Sequence, residues 1–166
     1  MRVGILGGSF NPPHQGHIHI SELALKKLQL AQIWWIPTPQ NPLKKSHTEN
    51  YENRLQSCQK ILGKNFKIRL LATKEIYTFR LLQNLRKKYP SIEFFWIMGA
   101  DNLENFHRWG NFKKIPQLAQ LAVFSREDSL KKATKTRAWN FLKNKSPRIF
   151  FTKNLDISST KLRNER

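Results

Sequence analysis

Short apolar runs alternate with helix-like segments along this chain, and the alternation limits its fold more than any other feature. The run at 2–7, closed by glycines, is typical of a buried parallel strand, whereas residues 16–30 show the apolar spacing of a helix. The pattern predicts a doubly wound α/β fold, a parallel sheet covered by helices on both faces. Ligands of such sheets bind at the carboxyl ends of the strands, so the candidate site lies in the loops there.

The remaining elements are predicted from the same two patterns. Thr78 is expected to cap its helix, because a threonine hydroxyl accepts main-chain N–H groups at helix starts. No internal repeat or long linker divides the 166 residues, so a single domain is expected over 1–166. The further predicted strands are 33–36, 66–72, 92–98, 121–124 and 148–151, and the further predicted helices are 51–62, 78–88, 130–142 and one beginning near Ser158.

The chain is strongly basic, with 30 Lys and Arg against 11 Asp and Glu and a formal net charge of +19. An anionic partner is expected, but charge alone does not choose among nucleotides, nucleic acids and a membrane surface. The lone cysteine, Cys58, has no partner for a disulfide within the chain. With no apolar stretch of about 18 residues and no signal-peptide core, a cytoplasmic protein without a membrane partner is expected.

The loop after the first strand has the composition of a phosphate-binding turn. Gly7 and Gly8 let a ligand approach the main chain, and the following helix directs unpaired N–H groups and its positive dipole end into the loop. His14 and His17, on either side of Gly16, are three residues apart, so both imidazoles can face one side of the helix entry. The alternative is a tight turn whose histidines only cap or pack.

Two other segments have possible binding chemistry. Ser158, Ser159 and Thr160 with Arg163 place hydroxyls and a planar cation at a helix start, although an ordinary capped helix has the same pattern. The segment 99–109 places Asp101 and Asn102 after an apolar strand and continues into aromatic residues. Trp109 offers a surface for a flat aromatic acceptor, although the aromatic residues can equally belong to the core.

These segments carry a family resemblance. The string at 14–17 resembles the H-x-G-H signature of the nucleotidyltransferase superfamily, and 157–163 is similar to its I-S-S-T-x-x-R element. The stretches 34–44 and 99–109 resemble the bacterial nicotinate-nucleotide adenylyltransferase family. The resemblance implies a Rossmann-like nucleotidyltransferase fold and transfer of AMP from ATP to nicotinic acid mononucleotide, giving deamido-NAD and pyrophosphate. It also implies Mg²⁺ carried by the ATP phosphates, without protein side chains as metal ligands.

The resemblance further implies which residues form the site. His14, His17 and Arg163 are expected to stabilise the reacting phosphates. The residues expected to bind ATP are Gly7, Gly8, Ser9, Phe10, His14, Gly16, His17, Gly99, Asp101, Ile157, Ser158, Ser159, Thr160 and Arg163. The residues expected to bind the mononucleotide are Asn41, Lys44, Tyr77, Thr78, Asp101, Asn102 and Trp109.

The chain departs from the family pattern in two places. Arg80 and Leu81 stand where relatives have an acid and a threonine, and the chain ends shortly after Arg163, so a short C-terminus is expected. One alternative is another adenylyltransferase, such as the pantetheine-phosphate enzyme. Another is a basic nucleic-acid-binding module without turnover, which we do not favour despite the charge. The oligomeric state and the preference for an acid or amide acceptor stay open.

Overall fold

The computed structural model describes residues 1–40, 42–43, 49–125 and 131–152. Within these residues six strands form one sheet of order β3-β2-β1-β4-β5-β6, and every neighbouring pair is parallel. This is the doubly wound order of Rossmann-like folds, which confirms the predicted fold class. The strands are β1 (Arg2–Gly8), β2 (Gln32–Pro37), β3 (Ile68–Leu70), β4 (Glu93–Gly99), β5 (Gln120–Ser125) and β6 (Arg148–Phe151).

Helices cover both faces of the sheet, and successive side chains of a strand enter different cores. Phe94 and Trp96 belong to one buried cluster with residues of α3 to α6, whereas Phe95 and Ile97 belong to another with α1 and α2. No helix in the described ranges is long and apolar enough to cross a membrane. The helices are α1 (Gln15–Lys27), α2 (Tyr51–Leu62), α3 (Thr78–Lys88), α4 (Asn102–Phe106), α5 (Ile115–Leu118) and α6 (Arg137–Leu142).

Two predictions about elements are wrong, and one predicted strand is shorter than expected. Thr78 is the first residue of α3, and Tyr77 occupies the N-cap position without a side-chain cap hydrogen bond. The strand predicted at 66–72 is present as β3 and starts later, because the side chain of Asn65 accepts the N–H groups of Lys67 and Ile68. The predicted helix 130–142 is interrupted by a turn. There Thr136 accepts the N–H of Trp139 and starts α6.

The strand order brings the loops after β1 and β4 together. β1 lies between β2 and β4, and Leu6 is paired with Ile97. Two residues further along, Gly8 and Gly99 therefore end their strands side by side. The chain runs to one side of β1 through β2 and β3 and returns to its other side with β4. Such a reversal opens a crevice at the carboxyl ends of the strands, and the candidate site lies there.

Candidate active site

His14 and His17 cap the N-terminus of α1 and hold each other in place. The N–H of Gly16 donates to Nδ1 of His14 (3.1 Å), and the N–H of His14 donates to Nδ1 of His17 (3.2 Å). A nitrogen that accepts a hydrogen bond has no proton of its own, so each neutral ring carries its proton on Nε2. The two rings lie 3.9 Å apart between centroids. The cap thus leaves two Nε2–H donors side by side.

Both imidazoles are held in the neutral form. Burial lowers the pKa of His14, and burial together with the nearby charge of a protonated His14 lowers the pKa of His17 to about 3. Near neutral pH the pair therefore acts through N–H donors and the positive end of the α1 dipole, not through imidazolium charge. The first turn of α1 contains no acidic residue to oppose an anion. This arrangement suits phosphate oxygens.

The aromatic rings of Phe10 and Trp35 pack against the ring of His17. The ring of Phe10 lies 4.7 Å from that of His17 and 4.9 Å from that of Trp35. Trp35 donates its indole N–H to Ser21 (2.8 Å), and the Ser21 hydroxyl donates to the carbonyl of His17 (2.8 Å). Phe10, which is 2% exposed, reaches this position through a left-handed backbone with φ of 47°. Its side chain therefore supports His17 from within the core.

The two glycines that end β1 serve different purposes. A Cβ on Gly7 would overlap the ring of Trp96 in β4, so Gly7 is required by the packing of the sheet. A Cβ on Gly8 would meet only the ring of Phe10, at an ordinary contact distance of 3.6 Å. Nothing in the described part of the protein explains Gly8 sterically.

The end of β4 supplies polar groups on the other side of the crevice. Asp101 and Asn102 are exposed at the start of α4, and a Cβ on Gly99 would overlap the Asp101 carboxylate. Trp109 is half-buried, with its ring edge-on to Trp96 at 6.0 Å between centroids. Its packing fits the core alternative in part, while its exposed portion remains open to a ligand. The Trp96 ring thus lies between Gly7 and Trp109.

A cavity of about 360 Å³ opens at Gly110 and Asn111, which follow Trp109 in the chain. Tyr77 is 46% exposed, and its ring lies 3.3 Å from where a Cβ on Gly110 would be. The structure therefore brings Tyr77 and the adjoining Thr78 to the loop that carries Trp109. It also brings a cation, Arg80, into the same cavity. The lining residues are Tyr77, Phe79, Arg80, Gly110 and Asn111.

Arg54 is the residue at this site that the sequence analysis missed. It lies on α2 with its side chain buried, and its guanidinium donates to the carbonyl of Ser9, 2.6 Å away in the phosphate loop. One signal was available, since Arg54, Cys58 and Leu62 recur every four residues and form the buried face of α2. The predicted site residues that lie outside the described residues are Asn41, Lys44, Ile157, Ser158, Ser159, Thr160 and Arg163.

Side chains that bind metals are not clustered in the described part of the protein. There, no three His, Cys, Asp or Glu side chains lie close enough together to hold a metal ion. The Nδ1 atoms of His14 and His17 are already occupied by main-chain N–H groups. Nucleotidyltransferases generally use a divalent metal together with ATP.

Comparison with known proteins places the chain in a family. Residues 5–165 match the model of the cytidylyltransferase-like family. A probable nicotinate-nucleotide adenylyltransferase of Ruegeria sp. is 42% identical over 83% of this chain and 75% of its own length. One from Pelagibacter ubique is 40% identical over 98% of this chain and 92% of its own length.

Solved structures agree on the fold. A nicotinic acid mononucleotide adenylyltransferase from Plasmodium falciparum, complexed with NaAD, superposes with a TM-score of 0.77 at 21% identity. The match covers 98% of this chain and 82% of that one. At this identity the likeness shows the architecture alone, whereas the sequence relatives show the family. The chain belongs to the nicotinate-nucleotide adenylyltransferase family, within the wider cytidylyltransferase-like group.

Proposed function

We propose that this protein transfers AMP from ATP to nicotinic acid mononucleotide, giving deamido-NAD and pyrophosphate. The observation that carries the proposal is the pair of Nε2–H donors on His14 and His17, set at the positive end of α1 in the crevice between β1 and β4. Membership of the family supports the reaction and the acceptor. The histidine pair would serve another adenylyltransferase equally well, so the choice of acceptor rests on the relatives.

The chemistry follows from this geometry. The phosphate of the mononucleotide attacks the α-phosphorus of ATP in line, the bond to the β-phosphate oxygen breaks, and pyrophosphate leaves with the negative charge. The attacking phosphate is already anionic, so the step needs no general base. Catalysis is then positioning and stabilisation of developing charge, which fixed N–H donors provide without reorganisation. A divalent metal such as Mg²⁺, brought in with ATP, would add positive charge beside the Nε2–H donors of His14 and His17.

The remaining residues are proposed to hold the two substrates. Gly8 admits the phosphates to the main chain, and Asp101 lies between the two nucleotides. The nicotinate ring would bind in the cavity lined by Tyr77, with Trp109 next to the lining residue Gly110. From the family pattern, Asn41 and Lys44 approach the mononucleotide, and Ser158 to Arg163 complete the phosphate site. Trp109→Ala should therefore raise KM for the mononucleotide alone, whereas Asp101→Ala should raise KM for both substrates.

One assay tests the function directly. The protein is mixed with ATP, Mg²⁺ and one of three acceptors, and pyrophosphate release is followed. The acceptors are nicotinic acid mononucleotide, nicotinamide mononucleotide and phosphopantetheine. We expect release with nicotinic acid mononucleotide and formation of deamido-NAD by chromatography. If no acceptor gave pyrophosphate release, the assignment as an enzyme would be overturned. Faster release with the amide or with phosphopantetheine would overturn only the assignment of the acceptor.

A further inference from the structure

Arg54 is a cation placed where the core of the sheet would ordinarily accept an apolar side chain. It is 1% exposed and shares its helix face with Cys58 and Leu62. Burial lowers the pKa of Arg54, yet a guanidinium stays charged at neutral pH. Its Nε has no hydrogen-bond partner among the residues that the structure describes. A buried cation with an unpaired donor costs stability, so its presence calls for a reason other than packing.

The guanidinium joins two loops. Its Nη1 donates to the carbonyls of Ser9 (2.6 Å) and Thr38 (2.8 Å), and its Nη2 donates to the carbonyl of Pro39 (2.7 Å). Ser9 belongs to the loop after β1, whereas Thr38 and Pro39 begin the loop after β2. The N–H of Thr38 also donates to the carbonyl of Gly8 (2.9 Å). The Arg54 side chain and this main-chain hydrogen bond therefore hold the two loops together.

The same contacts orient the peptide groups of the phosphate loop. In a trans peptide the carbonyl and the following N–H point in opposite directions. Because the carbonyl of Ser9 points to Arg54, the N–H of Phe10 points away from α2. The ring of Phe10 in turn supports His17, 4.7 Å away. Displacing the guanidinium would therefore shift Phe10 and, through it, the Nε2–H donor of His17.

We propose that Arg54 is a positioning residue that locks the loops after β1 and β2 together and thereby couples ATP binding to acceptor binding. This inference rests on the proposed function, since it takes the loop after β1 for ATP and the loop after β2 for the mononucleotide. Lysine would not replace it. An ammonium on a flexible stem lacks the planar fork that reaches the carbonyls of Ser9 and Pro39 together.

The test uses Arg54→Lys and Arg54→Gln, with Arg69→Lys on the exposed face of β3 as the matched control. We expect Arg54→Lys to remain folded and to lose about 10- to 100-fold in kcat/KM for both substrates, as small displacements of bound groups do. In wild type, the mononucleotide should raise the affinity for a non-hydrolysable ATP analogue. That gain should disappear in Arg54→Lys and persist in Arg69→Lys.

A second measurement does not depend on turnover. Amide hydrogen exchange should accelerate in both loops, at 8–10 and at 38–40, in Arg54→Lys but not in Arg69→Lys. Absence of pyrophosphate release by wild type would contradict the proposed function. Unchanged amide exchange in both loops of Arg54→Lys would contradict the positioning role. Wild-type coupling in a folded Arg54→Lys, or no coupling in wild type, would overturn the inference. So would loss of the folded state in both Arg54 variants, which would assign Arg54 to the fold alone.

Discussion

In His17, Nδ1 accepts the main-chain N–H of His14, so only Nε2 is left to meet a ligand. One ring thus serves the helix cap through one nitrogen and the phosphates through the other. The two tasks need atoms at different distances from the main chain. Short and long amides can therefore separate them, because the amide of asparagine lies near the position of Nδ1 and that of glutamine reaches the position of Nε2.

We predict that His17→Asn and His17→Gln fail in opposite ways. His17→Asn retains the acceptor for the cap, so its thermal unfolding should stay near wild type while turnover falls about 100-fold through loss of a preorganised donor. His17→Gln retains a distal N–H but loses the cap acceptor. It should lose about 1 kcal/mol of unfolding free energy and keep more activity than His17→Asn. Calorimetry and pyrophosphate release measure the two effects, and equal activity in both variants would contradict the separation.

The lowered pKa of His17 also predicts how stability depends on pH. The pKa is about 3 in the folded protein and about 6.5 in the unfolded chain, so between these values the unfolded chain binds more protons. The stabilising contribution is complete above pH 6.5 and is lost as the pH falls towards 3. Urea unfolding at pH 7, 6, 5 and 4 should show a decline that His17→Asn weakens. His19→Asn, which leaves the cap intact, should retain it, and an unchanged decline in His17→Asn would refute the assignment.

At the level of elements, alanine substitutions at the two adjacent glycines that end β1 are expected to have different effects. Gly7→Ala should destabilise the protein by about 1–3 kcal/mol, since the added methyl overlaps the ring of Trp96 in a close-packed core. Gly8→Ala should unfold near the wild-type temperature but raise KM for ATP. Thermal unfolding and steady-state kinetics measure both variants. Full activity in a folded Gly8→Ala would show that no ligand approaches the main chain there.

Elements were predictable where apolar pattern and burial coincide. β1, β2 and β4 were expected within about one residue, because their apolar runs are buried on both faces. The break before α6 was missed because it depends on the hydroxyl of Thr136, which apolar periodicity does not register. The cap at Thr78 was placed one residue too late. The hydroxyl pattern is shared by helix caps and first turns, so it does not fix which residue precedes the helix.

The paired imidazoles of the site were predictable in part. The three-residue spacing of His14 and His17 placed both rings at the entry of α1, and the structure confirms that they lie together. Their neutral state was not predictable, because it depends on burial against Phe10 and Trp35 from other segments. For Arg54, the spacing with Cys58 and Leu62 could indicate burial but not the contact with the loops. That contact arises from the order of strands, which brings Ser9 and Thr38 to the same helix.

For the whole molecule, the net charge of +19 predicts a salt-dependent reaction. A positive field raises the local concentration of anionic substrates and is screened over about 10 Å at 0.1 M salt. We expect kcat/KM for the mononucleotide to fall several-fold between about 20 and 200 mM KCl, while kcat at saturating substrate changes little. Steady-state kinetics at constant pH measure this. A salt-independent kcat/KM would show that the charge does not serve substrate capture.

RNA provides the control for that interpretation. An oligonucleotide held by the general field should inhibit at low salt and lose its effect near 150 mM. Inhibition that persists at 150 mM would contradict our expectation that nucleic acid is not a partner. The cytoplasmic location and the single domain over 1–166 stay predictions.

Cys58 lies within α2, 0% exposed, one helical turn from Arg54, and burial raises the pKa of its thiol to about 12. At neutral pH such a thiol is protonated and closed to alkylating reagents, which react with the thiolate. Because Cys58 is the only cysteine of the chain, wild type should show no background labelling. A cysteine introduced at exposed Asn111, on the cavity rim, would therefore accept a single fluorophore selectively. Acceptor binding could then be followed by the fluorescence of this label, without replacement of Cys58.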